Sequence, residues 1–266
     1  MAKLIICADD YGLNQSVNQA ILQLIQSNKL TATSCMVKSP IWQTSAAQIS
    51  KDIRQKAAIG LHFDLTEFGL SMSLTKLMWQ CASRTVNRSW IKQEIREQLD
   101  RFEASLGFAP DYIDGHQHVH QFPIVREAVI EEITRRYPNQ KPWLRIAQPL
   151  SKTSIKSWLI DLMGAKALKQ KAIQANIAYS DYLLGIYDFN LDEAEYARAF
   201  QVWIKQASQL SSSVIMCHPA ISASSEIRLD AIAAARAEEF KGLAKLDVPT
   251  CAQQNGVTLS RHPVQA

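Results

Sequence analysis

The chain has 266 residues, with 29 Lys and Arg against 25 Asp and Glu, a formal net charge of +4, and 47% hydrophobic residues. Such a composition excludes wholesale disorder and provides for a large apolar core. The basic residues are scattered, so the sequence shows no basic stripe of the kind that binds nucleic acid. The 5 cysteines are widely spaced and form no CxxC pair, which excludes a zinc knuckle or a disulfide framework as the organising feature.

Apolar runs in this sequence are short. None has the length of a membrane span, and the run that follows Met1 is too short for a signal peptide. We therefore expect a cytoplasmic protein without a membrane span. Because no linker, repeat or low-complexity segment interrupts the chain, residues 1–266 are expected to form a single domain.

Strand-like and helix-like stretches alternate along the chain. The hydrophobic pattern predicts strands over 4–8, 31–37, 57–65, 110–116, 143–147, 182–186 and 213–217, with a short edge strand at 257–259. It predicts helices over 14–27, 39–53, 89–106, 123–136, 151–173, 191–210 and 230–246, and a long irregular segment over 66–88 that would be a lid or a binding loop. The alternation predicts an α/β fold with a parallel sheet, and the number of strands favours a (β/α) barrel, complete or incomplete, over a small open sheet.

Polar residues follow the carboxyl ends of several predicted strands, which form the active face of a parallel barrel. Asp9 and Asp10 end the first strand, and adjacent strand residues point to opposite sides, so the two carboxylates would have different roles. Either one alone could equally be a helix cap. His62 comes near the end of the third predicted strand, after Gly60 and before Asp64, although a histidine among apolar neighbours is often a core residue.

Three of the six histidines fall within five residues, at positions 116, 118 and 120. If this segment is extended, all three imidazoles share one face; if the chain turns after His116, only one need point inward. A neutral imidazole is a common metal ligand and usually needs an acceptor to hold its tautomer, a role for which Asp114 is well placed. A chance cluster on a solvated loop is the alternative.

One carboxylate and two imidazoles form a ligand set typical of hydrolytic metal sites, and a second carboxylate can act as general base. His218 ends the strand at 213–217 and could protonate a leaving group, or could merely precede the turn at Pro219. Arg145 lies in a short apolar strand, where it could pair with the free carboxylate or bind an anionic group. It could also be an ordinary charge at the sheet edge.

Four motifs, taken in order, resemble those of the YdjC-like family, which includes chitooligosaccharide deacetylases. They are Ala-Asp-Asp-Tyr-Gly at 8–12, Gly-Leu-His at 60–62, Ile-Asp-Gly-His-Gln-His-Val-His at 113–120 and Cys-His-Pro at 217–219, followed by the helix that contains Arg-Ala-Glu-Glu at 236–239. The resemblance covers nearly the whole chain. Each motif by itself is common, whereas the ordered set is specific.

The resemblance implies a distorted (β/α) TIM-like barrel with one divalent metal ion, Mg²⁺ or Zn²⁺. By motif position, the implied metal ligands are Asp10, His62 and His116. The loop after His62 carries Trp79 and Arg84 and departs from the Gly- and Pro-rich version typical of the family. This difference bears on which substrate the protein would bind and leaves the implied metal ligands unaffected.

The same resemblance implies the catalytic residues: Asp9 as general base, His218 as general acid and Arg145 at the position expected for the family's strand arginine. The implied reaction is hydrolysis of the N-acetyl group of an amino sugar or a short N-acetylated oligosaccharide, giving acetate and a free amine. In this mechanism the metal activates the attacking water. A homodimer is an expectation by analogy.

Two alternatives stay open at the level of sequence. A metal-dependent phosphoesterase on a similar barrel would use paired metals, and His118 or His120 would then have to join the ligands. A catalytically silent sugar-binding homologue would keep the fold without the chemistry. The presence of a spare carboxylate argues against a simple binding protein.

Overall fold

The structure is a computed structural model that describes residues 2–68, 72–150, 163–222 and 230–263. Its strands are β1 Ala2–Tyr11, β2 Ala32–Cys35, β3 Ala58–Phe63, β4 Tyr112–Gly115, β5 Trp143–Leu144, β6 Tyr182–Leu184, β7 Ser212–Cys217 and β8 Val257–Leu259. Its α-helices are α1 Gln15–Gln26, α2 Trp42–Ala46, α3 Lys51–Lys56, α4 Leu74–Ala82, α5 Arg88–Leu106, α6 Val125–Arg136, α7 Ala165–Gln174, α8 Glu193–Ala207, α9 Ala233–Lys245 and α10 Val248–Gln254. A 3-10 helix spans His116–Gln121.

The strands form one curled parallel sheet in the order β5-β4-β3-β2-β1-β7-β6. The last strand, β8, pairs with the first residues of β1, from Ala2 to Leu4, whereas β2 pairs with β1 only from Cys7 onward. Isolated bridges join Leu144 to Tyr179 and Pro149 to Leu183, and so connect the two ends of the sheet. The fold is a distorted, incomplete TIM-like barrel, as the number of strands and the family resemblance predict.

Two apolar cores lie on the two faces of this sheet. Alternate residues of β1 enter each core: Ile5 and Cys7 face the interior, whereas Leu4 and Ile6 pack under the helices. The interior core includes the stacked rings of Tyr112 and Trp143, whose centroids are 4.4 Å apart. This packing brings Tyr112 so close to β3 that only a glycine fits at position 60, since a Cβ there would lie 2.4 Å from the tyrosine ring.

Several element boundaries differ from the predicted ones because local side-chain caps decide them. The helix predicted over 39–53 is two short helices, the second beginning where the Ser50 hydroxyl accepts a hydrogen bond from the amide of Ile53. The segment 66–88 contains α4, which Ser73 caps, and Asn87 rather than Ser89 caps α5. Residues 151–162 of the helix predicted over 151–173 lie outside the described residues.

Crossing a membrane takes a long helix with few charges, and the part of the chain that the structure describes contains none.

Candidate active site

The carboxyl end of β1 carries the two adjacent aspartates into different surroundings. Asp10 has a left-handed backbone with φ of 69°, a conformation that aspartate tolerates better than most residues. The pairing of β1 with β2 shifts register at the same place, between Ala8 and Tyr11. As a result Asp9 contacts Arg145, whereas Asp10 contacts His62 and His116.

Three side chains converge from three separate strand ends, with two imidazoles beside one oxygen of Asp10. Its Oδ1 lies 3.3 Å from Nε2 of His62, at the end of β3, and 3.1 Å from Nδ1 of His116, after β4. One donor atom from each of the three residues lies within 4.8 Å of the others. Asp10 and His62 are buried, and His116 is slightly exposed. One carboxylate and two imidazoles at this spacing fit a divalent cation with positions left for water and substrate.

The second ring nitrogen of His62 has its own acceptor. Nδ1 lies 2.6 Å from Oδ1 of Asp114, whose other oxygen accepts a hydrogen bond of 2.8 Å from the Ser34 hydroxyl. Burial lowers the pKa of His62, but the carboxylates of Asp114, Asp10 and Asp9 together raise it to about 10. A cation would compete with a proton for Nε2 of this imidazole, so binding should release a proton. Asp114 thus contacts His62 rather than a histidine of its own segment.

The histidine-rich segment turns instead of staying extended. Within the 3-10 helix, Gln117 and His118 have positive φ values of 51° and 60°, which separate the three imidazoles. His116 faces Asp10, whereas Nε2 of His120 donates to the carbonyl of Arg145 at 2.7 Å. Burial holds the pKa of His118 well below its usual value. Of the two backbone courses that the sequence left open, the structure shows the turn after His116.

Asp9 forms a two-point ion pair with Arg145, with distances of 2.5 and 2.8 Å. Burial raises the pKa of Asp9, but the guanidinium outweighs burial and holds the pKa well below its usual range. Cys7, Asp9 and Asp114 form a second group of neighbouring donor atoms. The guanidinium contacts all three, at 3.6 Å from the Cys7 sulfur and 3.1 Å from Asp114, so a positive charge already lies among these donors.

His218 follows β7 and lies between two carboxylates. Its Nε2 is 3.9 Å from Oδ2 of Asp9, and its Nδ1 is 3.8 Å from Oε1 of Glu239. Glu239 is fully buried and accepts hydrogen bonds from the backbone amide of His218 and from the hydroxyls of Tyr187 and Tyr196, at 2.5, 2.6 and 3.3 Å. These bonds fix the carboxylate beside the imidazole.

Two charged residues of α9 enter the site without having been assigned a role from the sequence. Nη2 of Arg236 lies 2.7 Å from Oδ2 of Asp10, and Glu239, three residues further, contacts His218. Residues three apart lie on the same face of a helix. Two such charged residues in an Ala-rich helix are the signal in the sequence that could have identified this pair. Asp64, two residues after His62, accepts hydrogen bonds from the backbone amides of residues 66–68.

A curled parallel sheet with a carboxylate and two imidazoles at its carboxyl edge defines a class of barrel with a candidate metal centre. Within that class the chain belongs to the YdjC-like protein family, which it matches over residues 3–254. The resemblance inferred from the ordered motifs is thereby confirmed.

Individual relatives agree with this assignment. The chain is 28% identical to a chitooligosaccharide deacetylase of Citrobacter koseri over 260 residues, which cover 94% of this chain and 91% of the relative. It is 30% identical to a carbohydrate deacetylase of Geobacillus stearothermophilus over 177 residues, 64% of this chain and 71% of the relative. A crystal structure from Enterococcus faecalis V583, provisionally named a cellobiose-phosphate cleavage protein, has the same fold, with a TM-score of 0.74, 21% identity and 97% of each chain covered.

Proposed function

We propose that this protein is a metal-dependent carbohydrate deacetylase that removes the N-acetyl group from an amino sugar or a short N-acetylated oligosaccharide. The observation that carries the proposal is the convergence of Asp10, His62 and His116 beside Asp9 and His218 at one edge of the sheet. The deacetylase names of the relatives from Citrobacter koseri and Geobacillus stearothermophilus support the same reaction.

Asp10, His62 and His116 are the proposed ligands of one divalent cation, Mg²⁺ or Zn²⁺. Two imidazole nitrogens favour Zn²⁺ over Mg²⁺, which prefers oxygen ligands. The Asp114 carboxylate supports this assignment, because it binds Nδ1 of His62 and leaves Nε2 directed at Asp10. When bound, such a cation polarises a carbonyl oxygen and lowers the pKa of a water molecule.

Asp9 is the proposed general base. Its carboxylate is held in place by two hydrogen bonds from Arg145, so its orientation is set before substrate arrives. In the reaction Asp9 would take the proton of the attacking water. The ion pair with Arg145 keeps the carboxylate charged in a buried position, where an isolated carboxylate would be costly.

His218 is the proposed general acid, which gives a proton to the departing amine. Its Nε2 and the Oδ2 of Asp9 are 3.9 Å apart, so the proposed acid and base can reach the same small group. Glu239 lies on the other side of the ring and would keep Nδ1 in one protonation state while Nε2 exchanges its proton.

Residues 1–266 are proposed to act as one domain. Support comes from the sheet itself, because β8, near the end of the chain, pairs with the first residues of β1. A phosphoesterase with two metals finds less support. In the described ranges the only other donor group, formed by Cys7, Asp9 and Asp114, already surrounds the guanidinium of Arg145.

The test is acetate release by the purified protein from a panel of N-acetylated monosaccharides and oligosaccharides, with and without a chelator. We expect acetate and free amine in equal amounts, loss of activity with chelator, and recovery on adding one equivalent of divalent cation per chain. Equal activity with and without the chelator would show that the reaction does not depend on a metal. Release of phosphate from sugar phosphates with two cations per chain would favour the phosphoesterase, and sugar binding without turnover would favour the silent homologue.

A further inference from the structure

Both carboxylate oxygens of Asp10 have partners, and the partner of one of them is an arginine far along the chain. Its Oδ1 faces the imidazoles of His62 and His116, whereas its Oδ2 accepts a hydrogen bond of 2.7 Å from Nη2 of Arg236. Both members of this ion pair are buried, with 2% of the Asp10 side chain and 4% of the Arg236 side chain exposed. A charge-assisted bond of this length in a buried position restricts rotation of the carboxylate.

Arg236 is itself held at a second point. Its Nε donates to Oδ2 of Asp230 at 2.7 Å, and the other oxygen of Asp230 accepts from the backbone amide of Ile232 at 3.2 Å. The backbone carbonyl of Arg236 also accepts from the amide of Ala220, just after the His-Pro turn. The guanidinium therefore bridges two carboxylates in a fixed orientation, which a lysine could not reproduce.

We propose that Arg236 is a positioning residue that holds Asp10 as a one-oxygen ligand, and that Asp230 holds Arg236 in turn. This inference rests on the proposed cation site. Because Arg236 donates to Oδ2, the oxygen that Asp10 offers to a cation is Oδ1, which also lies beside the ring nitrogens of His62 and His116. Asp230 offsets the positive charge that Arg236 would otherwise place beside a divalent cation.

A purely structural role would have a different consequence. If Arg236 only anchored α9, its removal would lower the free energy of unfolding of the metal-free protein and leave the intrinsic affinity for cations unchanged. Residues that orient metal ligands instead change metal affinity, typically by about 10–100-fold when they are mutated. Affinity for the cation and stability of the metal-free chain therefore distinguish the two roles.

The experiment is titration of the metal-free, full-length protein with Zn²⁺, by calorimetry or against a chromophoric chelator, together with chemical unfolding of the metal-free form. We expect Arg236→Gln to weaken Zn²⁺ binding by about 10–100-fold. Arg236→Lys should not restore the affinity, because it keeps the charge and loses the bridge. Asp230→Asn, which leaves both partners of the Arg236–Asp10 bond in place, should weaken binding by a smaller factor and serves if Arg236→Gln does not fold.

Arg101→Gln is the matched control, because Arg101 is exposed and its one ion pair within the described ranges is with Glu97 of the same helix, α5. It should leave Zn²⁺ affinity unchanged. Equal affinity in wild type, Arg236→Gln and Asp230→Asn would overturn the inference, and so would tighter binding in Arg236→Gln, which would mark the guanidinium as a competitor of the cation. A wild-type protein that binds no divalent cation would overturn the proposed function as well.

Discussion

The carboxylate of Asp9 and the guanidinium of Arg145 form a parallel, two-point ion pair one residue before the candidate metal ligand Asp10. Arg145 is fully buried and also contacts Asp114 at 3.1 Å, so one guanidinium serves two carboxylates. Each of these carboxylates also lies next to a histidine of the candidate site: Asp9 is close to His218, and Asp114 contacts His62. The ion pair thus connects the proposed base to the residue that orients a proposed ligand.

Replacing the proposed base should separate catalysis from metal binding. Asp9→Asn keeps the volume of the side chain but cannot take a proton, so we expect kcat to fall about 10²–10⁴-fold. Zn²⁺ affinity, measured by titration, should stay within a few-fold, because Asp10 and the imidazoles are unchanged. Turnover at the wild-type rate in Asp9→Asn would show that Asp9 is not the base.

Removing one proposed ligand should have the opposite result. His116→Ala deletes the imidazole that lies 3.1 Å from Asp10, and we expect measurable Zn²⁺ binding to be lost, along with acetate release. The control is His262→Ala, which removes an exposed imidazole elsewhere and should leave both unchanged. If His116→Ala bound Zn²⁺ as tightly as the wild type, the ligand set would have to exclude His116.

Glu239 should act through His218. Glu239→Gln replaces a carboxylate that accepts three hydrogen bonds with an amide that cannot hold a positive imidazole, so we expect kcat to fall about 10-fold or more with little change in KM. In a His218→Ala background the same substitution should cost little further activity, because residues that act as a unit are not additive. If the losses of kcat caused by the two substitutions multiplied in the double variant, Glu239 would have a role independent of His218.

His120 should make the protein sensitive to acid. Burial lowers its pKa from 6.5 to about 4 in the folded chain. Between these values the unfolded chain binds a proton that the folded chain does not, so stability is complete above pH 6.5 and falls as the pH drops towards 4. The loss reaches up to about 3 kcal/mol from this one group.

The measurement is the free energy of unfolding against pH for wild type and His120→Gln. The variant should show a shallower slope between pH 6.5 and 4, by up to about 1.4 kcal/mol per pH unit. Parallel curves for the two proteins would mean that His120 does not titrate differently in the folded and unfolded chains.

Gly60→Ala should be strongly destabilising, because the added Cβ would lie 2.4 to 2.6 Å from three ring atoms of Tyr112, which is stacked on Trp143. Forcing extra volume into a packed core costs about 1–3 kcal/mol. Gly107→Ala is a useful comparison, since beyond the adjacent chain no described atom lies within 4 Å of the Cβ that alanine would add, and its φ of +75° is what opposes the change. Denaturant unfolding should rank Gly60→Ala as the more costly; a neutral Gly60→Ala would show that the Tyr112 ring can move.

Local signals in the sequence predicted the strands, most of the helices and the order of the motifs. The apolar run at 4–8 forms the middle of β1, Asp9 and Asp10 lie near its carboxyl end, and His62 lies near the end of β3 as expected. Such features depend on residues close together in the chain, on alternation and on turn chemistry, and so can be inferred without a structure. The boundaries shifted where caps such as Ser50, Ser73 and Asn87 decided them.

The tertiary structure alone decided which groups meet. The left-handed turn at Gln117 and His118 selects His116 to face Asp10, and the curled sheet brings in Arg236, 226 residues further along the chain, on the other side of the same carboxylate. Curling of the sheet determines these contacts, because it places strand ends and a late helix side by side regardless of their separation in sequence. The sequence by itself therefore determined the fold class and the candidate residues, whereas their pairing depended on the three-dimensional packing of the barrel.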